Sequence, residues 1–318
     1  MSVDVVNKTL PAAAGTVDQA GPEAGAPRVS VIVPSYNSRH TIGLTLASLR
    51  AQTAGFPYEV IVVDSSGDGT DAWVAREFPE VRLVHLKGQT YQGKARNIGA
   101  RMARAPLLAF LDADCQACPE WVARIAEDLG REGVGALGGP LRNANPGSPV
   151  SRAMFVLQFR ETLSRSEWTA LTNHPAANSA YRREVFEQVG GYPEEMGSSE
   201  ETVMNARLAE RGWPVYFSPA MPARHWNLDR LRHFLTHQIK QGCFYRQARL
   251  STPLPGHRAL DSLWLTPLFP LYRFCRCLPV LGREVPRPWP FLATCPPLFL
   301  GFVFYSAGEI KGHLTFRK

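Results

Sequence analysis

Gly93-Lys-Ala-Arg-Asn-Ile-Gly-Ala-Arg-Met-Ala-Arg-Ala-Pro-Leu107-Leu-Ala-Phe-Leu111-Asp112-Ala-Asp114-Cys-Gln-Ala-Cys118-Pro-Glu-Trp-Val122 carries a helix, a strand and a pair of acids in one run. The basic stretch from Gly93 to Ala105 reads as a helix, and Leu107 to Leu111 reads as a strand buried on both faces. The strand ends in Asp112 and Asp114. Two carboxylates at one strand end repel each other unless a cation or a basic group shares the site. A hard divalent ion with oxygen ligands satisfies them, and Mg2+ characteristically links one or two carboxylates to substrate phosphates.

Upstream, Val29 to Val33 and Val60 to Val63 are two further apolar, β-branched runs. The first is followed by a helix over Thr41 to Gln52 with Ser38 as its expected cap, and the second by a helix around Thr70 to Glu77 and a weaker strand from Val81 to His85. Strands alternating with helices at this spacing argue for an α/β domain with a mostly parallel central sheet. Each strong strand ends in polar residues: Ser35, Tyr36 and Asn37; Asp64, Ser65 and Ser66; Asp112 and Asp114. Ligands of open parallel sheets bind beyond the carboxyl ends of the strands, so a polar ligand site is expected there.

Downstream, residues 140–182 read as a loop-rich segment suited to a binding loop or lid. Ser199-Glu200-Glu201-Thr opens a helix that reaches Arg211, and a basic, His-rich helix follows from Leu231 to Gln247. The six cysteines are too few and too unevenly spread for a disulfide framework. Cys115 and Cys118 form a C-x-x-C, but no neighbouring pair completes a zinc site, so the spacing reads as accidental.

The 318 residues are 45% hydrophobic and 20% charged, which excludes wholesale disorder. Glycine and proline number 26 each and follow no fixed period, which excludes a collagenous chain. The net charge of +7 is concentrated at the C-terminus, where eight Lys/Arg stand against three acids from Leu254 onward. Trp289 to Gly308 is free of charge and about as long as a spanning helix, but Pro296-Pro297 is expected to divide it. This apolar, basic region reads as a segment lying in a cytoplasmic leaflet rather than as a dimer interface. The expected organisation is a flexible leader over residues 1–27, a catalytic domain over 28–253 and a partly helical, membrane-associating region over 254–318. The Ala/Gly/Pro-rich N-terminus has no charged start before an apolar run, so a cytoplasmic setting at the inner face of the cell membrane is expected.

The ordered series VSVIVPSYN, EVIVVDSSGDGT, GKARNIGARMARAPLLAFLDADCQACPEWV, ANSAYRREVFEQVGGYPEEM, SSEETVMNARLAERGW and PARH resembles the family 2 glycosyltransferases, from about Val29 to His225. The series is far more specific than any member of it. The resemblance implies a GT-A fold, a nucleotide-sugar donor, Mg2+ or Mn2+, and inversion at the anomeric carbon. It places Pro34 and Tyr36 against the nucleobase, Asp64 as an acceptor for the base and Arg96 near the nucleotide. Asp112 falls at the ribose or the metal shell, Asp114 on the metal, His225 near the diphosphate or metal, and Asn178 in a polar loop near a sugar. Glu200-Glu201 matches the family's Glu-Asp pair, whose second member is taken as catalytic base. Ser65 and Cys115 stand where the family often has acids, which leaves the donor base open and gives the metal fewer anionic ligands.

The implied acceptor is a glycan or lipid-linked precursor in cell-envelope polysaccharide synthesis, with a membrane surface and no nucleic acid as partner. Two rivals are a phosphotransferase of the haloacid dehalogenase type, which also places Asp-x-Asp after an apolar strand, and a non-catalytic nucleotide-sugar or glycan-binding protein.

Overall fold

The computed structural model describes residues 25–163, 165–254 and 264–317, so nearly all of the expected leader lies outside the described residues. The first half alternates as expected: β1 (Val29–Ser35), α1 (Ile42–Arg50), β2 (Tyr58–Asp64), α2 (Thr70–Glu77), β3 (Arg82–His85), α3 (Gln92–Met102) and β4 (Leu107–Leu111). All seven residues of β1 are buried, which is why the run lacks the polar alternation of a half-exposed strand. Ser38 does not cap α1. Its hydroxyl donates to the Tyr36 carbonyl, and Thr41 flanks the helix without a side-chain cap bond.

The second half supplies β5 (Cys115–Ala117), α4 (Trp121–Leu129), β6 (Ala136–Gly138), β7 (Leu141–Asn143), α5 (Pro149–Phe159), β8 (Thr169–Leu171), β9 (Asn178–Arg182), α6 (Arg183–Gln188), α7 (Glu200–Glu210), β10 (Val215–Phe217) and β11 (Ala223–His225). The main sheet has the order β3-β2-β1-β4-β9-β6-β10-β8. The first four strands are parallel; β9 then runs antiparallel to both β4 and β6, so the sheet is mixed. The chain winds outward from β1 to β3 and returns to place β4 on the other side of β1. Between β1 and β4 lies the switch point at which such sheets open a crevice. A second sheet, β5-β11-β7, sets His225 opposite both Cys115 and Asn143.

The expected loop over 140–182 is corrected by α5. Ser148 accepts hydrogen bonds from the Val150 and Ser151 amides, and Pro149 occupies the first turn, where its missing N–H costs nothing. Pro296 and Pro297 do not divide the apolar C-terminus either. After α8 (Leu231–Ser251) and α9 (Phe269–Glu284), α10 runs unbroken from Pro288 to Phe316. The two prolines deprive the carbonyls of Leu292 and Ala293 of their helical donors, and both residues are exposed. One turn earlier, Thr294 Oγ1 donates to the Pro290 carbonyl at 2.7 Å, so side chains reinforce this part of the helix.

The C-terminal helices share a core with α5 and α8: Met154, Leu157, Phe234, Cys277, Leu281, Leu298 and Phe302 form one buried cluster. Along the α8–α10 seam the backbones nearly touch. A Cβ on Gly242 would lie 1.9 Å from the Tyr305 carbonyl oxygen, and one on Gly308 2.2 Å from that of Ile239. Only glycine allows this approach. On the opposite side of α8, Gln241 bonds to Ser198 and the Phe244 ring meets Tyr91 edge-on at 5.9 Å.

Candidate active site

The end of β2 is built around Asp64, whose side chain is fully buried. Its Oδ1 accepts from Ser35 Oγ at 2.7 Å and Ser66 Oγ at 2.6 Å. Its Oδ2 accepts from the Ser66 amide at 3.1 Å and lies 3.0 Å from His85 Nδ1. Four partners fill the usual capacity of a carboxylate. Asn37, in the left-handed region at φ 51°, donates its amide to Ser66 Oγ and ties the β1 loop to the β2 turn. Pro34 is buried at the end of β1, while Tyr36 is 44% exposed and offers a free ring face beside the crevice. Ser66 belongs to the polar strand end read from the sequence, whereas His85 was not among the candidates. The sequence signal for His85 is that it closes β3, the one strand end left unread.

Arg96, on α3, is 1% exposed and joins two of the candidate acids. Its Nη2 donates to Asp112 Oδ1 at 2.6 Å, and its Nη1 donates to Glu200 Oε1. The Tyr192 ring lies 5.3 Å from the guanidinium carbon. Burial pulls the Arg96 pKa down, but the charges of Asp112 and Glu200 outweigh it, and the net direction is upward. The fork is therefore spent on protein carboxylates. Arg96 thus holds Asp112 and Glu200 together at one end of the site.

Glu200 and Glu201 open α7 after Ser199, which is held in the left-handed region at φ 61° with no side-chain cap bond. The two glutamates sit in different surroundings. Glu200 is buried and neutralised by Arg96, whereas Glu201 is half-buried and has no such counter-ion. Burial, followed by the charge of Glu200, raises the Glu201 pKa to about 8. A carboxylate with that affinity for protons is a competent general base near neutral pH.

Asp114 Oδ1 lies 3.5 Å from His225 Nε2. Backbone pairing fixes the approach: the Trp226 amide donates to the Asp114 carbonyl at 2.9 Å, and Phe159 packs edge-on against the imidazole at 4.9 Å. Nδ1 of His225 is buried with no hydrogen-bond partner among the described residues. Cys115 Sγ belongs to the same cluster, but desolvation and then the charges of Asp114 and Asp112 push its thiol well above the usual range. Cys115 and Cys118 are both free thiols. One carboxylate and one imidazole nitrogen aimed at the same space suit a divalent ion that accepts mixed oxygen and nitrogen donors. Asp112 is turned toward Arg96, and the cluster of potential ligands does not include it.

Asn178 is a strand residue at the start of β9, fully buried, and not a loop residue. Its Oδ1 accepts from Trp121 Nε1 at 2.8 Å, and its Nδ2 donates to the carbonyls of Pro140 and Met221 at 3.1 and 3.0 Å. It braces the floor of the site with its amide hydrogens already committed. Two residues of α8 complete the electrostatics, and both escaped residue-level notice in the sequence. Desolvation lowers the Lys240 pKa while Glu200 raises it. Burial, then Lys240 and His225, brings His237 down to about 4.

Known proteins match this arrangement. The model of glycosyl transferase family 2 matches residues 30–190. Glycosyltransferase AglE of Haloferax volcanii is 31% identical over 204 residues, covering 60% of this chain and 64% of AglE. Validoxylamine A glucosyltransferase of Streptomyces hygroscopicus subsp. jinggangensis is 36% identical over 110 residues, covering 33% of this chain and 26% of that enzyme. The chain thus spans less than two thirds of the length of these curated relatives. Mannosyltransferase PcManGT from Pyrobaculum calidifontis, solved with GDP-Man and Mn2+, superposes with a TM-score of 0.61 over 94% of this chain and 91% of that one. At 21% identity the likeness is one of fold, an α/β GT-A-like domain with a mixed sheet.

Proposed function

This chain belongs to glycosyl transferase family 2, and from that premise we propose that it transfers a sugar from a nucleotide-sugar to an acceptor hydroxyl, with inversion and with a divalent metal. The observation that carries the reading is the meeting of Asp114 and His225, 3.5 Å apart, beside the β1–β4 switch point and next to Asp112 at the same strand end. Pro34, Tyr36 and Asp64 form the nucleobase end, with His85 and Ser66 holding the Asp64 carboxylate in place. Asp112 faces the ribose while held by Arg96, and Asn178 supports the sugar end from beneath.

Mn2+ or Mg2+ bound by Asp114 and His225, with Asp112 beside them, would supply Lewis-acid neutralisation of the leaving diphosphate. The imidazole favours Mn2+ over Mg2+, which prefers an all-oxygen set. Glu201 takes the proton of the acceptor hydroxyl as its oxygen bonds to the anomeric carbon, and the bond from that carbon to the diphosphate oxygen breaks. The products are a glycoside of inverted configuration, a nucleoside diphosphate and a protonated Glu201. Lys240, within electrostatic reach of Glu200, adds positive charge near the same end of the site.

We take residues 28–253 as the catalytic unit. The apolar region from 254 onward supports attachment to the cytoplasmic face of a membrane, and with it a lipid-linked or cell-envelope glycan as acceptor. The phosphotransferase reading fares worse, because the first aspartate would have to be a free nucleophile, whereas Asp112 is tied to Arg96. Thermal denaturation with a panel of nucleoside diphosphates and nucleotide-sugars, with and without Mn2+, tests the proposal. A metal-dependent rise with one nucleotide, lost in Asp114→Ala, supports the site. No rise with any nucleotide in folded protein overturns it and leaves a glycan-binding role or the phosphotransferase.

A further inference from the structure

The membrane-surface reading above leaves open whether α10 crosses the bilayer or lies on it. Among the described residues α10 is the one helix long and apolar enough to cross. Its surroundings decide the matter. From Leu298 onward it is built into the protein: Gly308 and Gly312 press on the α8 backbone, Gly242 of α8 presses back on Tyr305, and His313 Nδ1 lies 2.7 Å from Arg246 Nη2. Glu309, 3% exposed, receives both Arg273 Nη atoms at 2.7 Å, which locks α9 to α10. Further forward, Arg152 Nε donates to Thr294 Oγ1 at 2.8 Å and fastens α10 to α5. A helix held along its length by α5, α8 and α9 cannot cross a bilayer without breaking a packed core.

The outer face of the same helices is a different surface. On α10, Trp289, Leu292, Pro296, Phe299 and Leu300 are exposed at spacings of three and four, forming one stripe. On α9 and the turn before it, Trp264, Leu268, Leu271 and Tyr272 form another, with Trp264 92% and Trp289 81% exposed. Phe274 meets Phe299 edge-on at 5.5 Å where the two stripes adjoin. Cations frame them: Arg276 leans on Tyr272, Arg287 precedes α10, and Lys311 and Arg317 follow. Glu309 is consumed by Arg273, which leaves Glu284 as the exposed acid of these two helices against Arg276, Arg287, Lys311 and Arg317. Indole rings beside cations and an aliphatic face have the chemistry of the lipid interface rather than of bulk water or a hydrocarbon core.

Resting on the membrane-surface reading, we infer that α9 and α10 lie in the plane of one leaflet. Their stripes enter the acyl boundary, Arg276 and Arg287 meet anionic headgroups, and α10 does not cross. Both ends of α10 are therefore on the same side of the membrane.

Flotation of the full chain with sealed vesicles, of phosphatidylcholine alone or mixed with phosphatidylglycerol, is the first measurement. The expected result is flotation that increases with phosphatidylglycerol and falls roughly tenfold or more in Leu271→Glu/Leu292→Glu, two exposed sites whose replacement leaves the melting temperature in place. The second measurement labels Pro286→Cys and Thr315→Cys with a membrane-impermeant maleimide in inverted vesicles and spheroplasts of an expressing host, after Cys118, Cys275 and Cys295 are changed to Ser. Both positions should label in inverted vesicles and neither in spheroplasts. Labelling from opposite sides, with flotation intact, keeps the membrane reading and overturns the in-plane helix. Flotation unchanged in the double glutamate variant also overturns it, because another surface is then doing the binding. Absence of wild-type flotation with either vesicle overturns both.

Discussion

His225 Nε2 stands 3.5 Å from Asp114 Oδ1, although one residue lies on β11 and the other follows β4. The register of the small sheet, with His225 opposite Cys115, brings them together. His225→Ala should therefore weaken the Mn2+-dependent part of nucleotide binding by at least the 10–100-fold that disturbing a metal's surroundings typically costs. Metal-free nucleotide binding should change little. Calorimetric titration with and without Mn2+ separates the two.

Arg96 is the only base in direct contact with Asp112 and Glu200 among the described residues. Arg96→Met leaves two buried or half-buried carboxylates without their counter-ion, a change that costs about 3–5 kcal/mol. Urea denaturation should show the loss at neutral pH.

Glu201 carries a pKa raised to about 8 by burial first and Glu200 second. As the proposed base it would act only when ionised, so kcat should rise with pH and level off above that value in saturating donor and acceptor. Glu201→Gln should lower kcat by about 10²–10⁴-fold with the nucleotide Kd unchanged. The linkage has a definite sign. A carboxyl with a raised folded-state pKa stabilises the native protein at low pH, and that contribution drains away as pH climbs from the ordinary carboxylate range to about 8. Glu201→Gln should flatten this slope in metal-free protein, as followed by melting temperature.

Asn178→Ala would strand Trp121 Nε1 and the carbonyls of Pro140 and Met221 in the interior. The expected loss is about 1–3 kcal/mol for an unsatisfied buried group. Donor KM should hold to within a few-fold, since the amide has no hydrogen left to offer a sugar. Denaturation and steady-state kinetics on one preparation distinguish a brace from a ligand.

The strands were readable because β1, β2 and β4 are buried on both faces and so appear as unbroken apolar runs. Their polar ends announced the crevice, and the Glu pair announced the start of α7. Long-range pairings left no local trace. Nothing within a few residues of Arg96 indicates that its fork closes on Glu200, and nothing near Asn178 indicates that Trp121 satisfies it. α5 did leave a signal, Ser148-Pro149 ahead of an apolar run, which the surrounding Asn and Pro residues obscured. α10 misled for the opposite reason. The proline pair is a sound local breaker, and packing against α5 and α8 overrides it.

The glycine seam between α8 and α10 fixes how far the C-terminal helices stand from the start of α7. With no side chain between the backbones at Gly242 and Gly308, the two helices sit closer than the roughly 8–10 Å usual for packed pairs and have no compressible layer to slide upon. Gln241 and Phe244 then carry that rigidity to Ser198 and Tyr91, next to the Glu200–Glu201 turn. If α10 rests on a leaflet, the catalytic base is held at a set height above it. On the proposed lipid-linked acceptor, that fixed height would favour hydroxyls whose headgroup lifts them to it over shorter and longer ones.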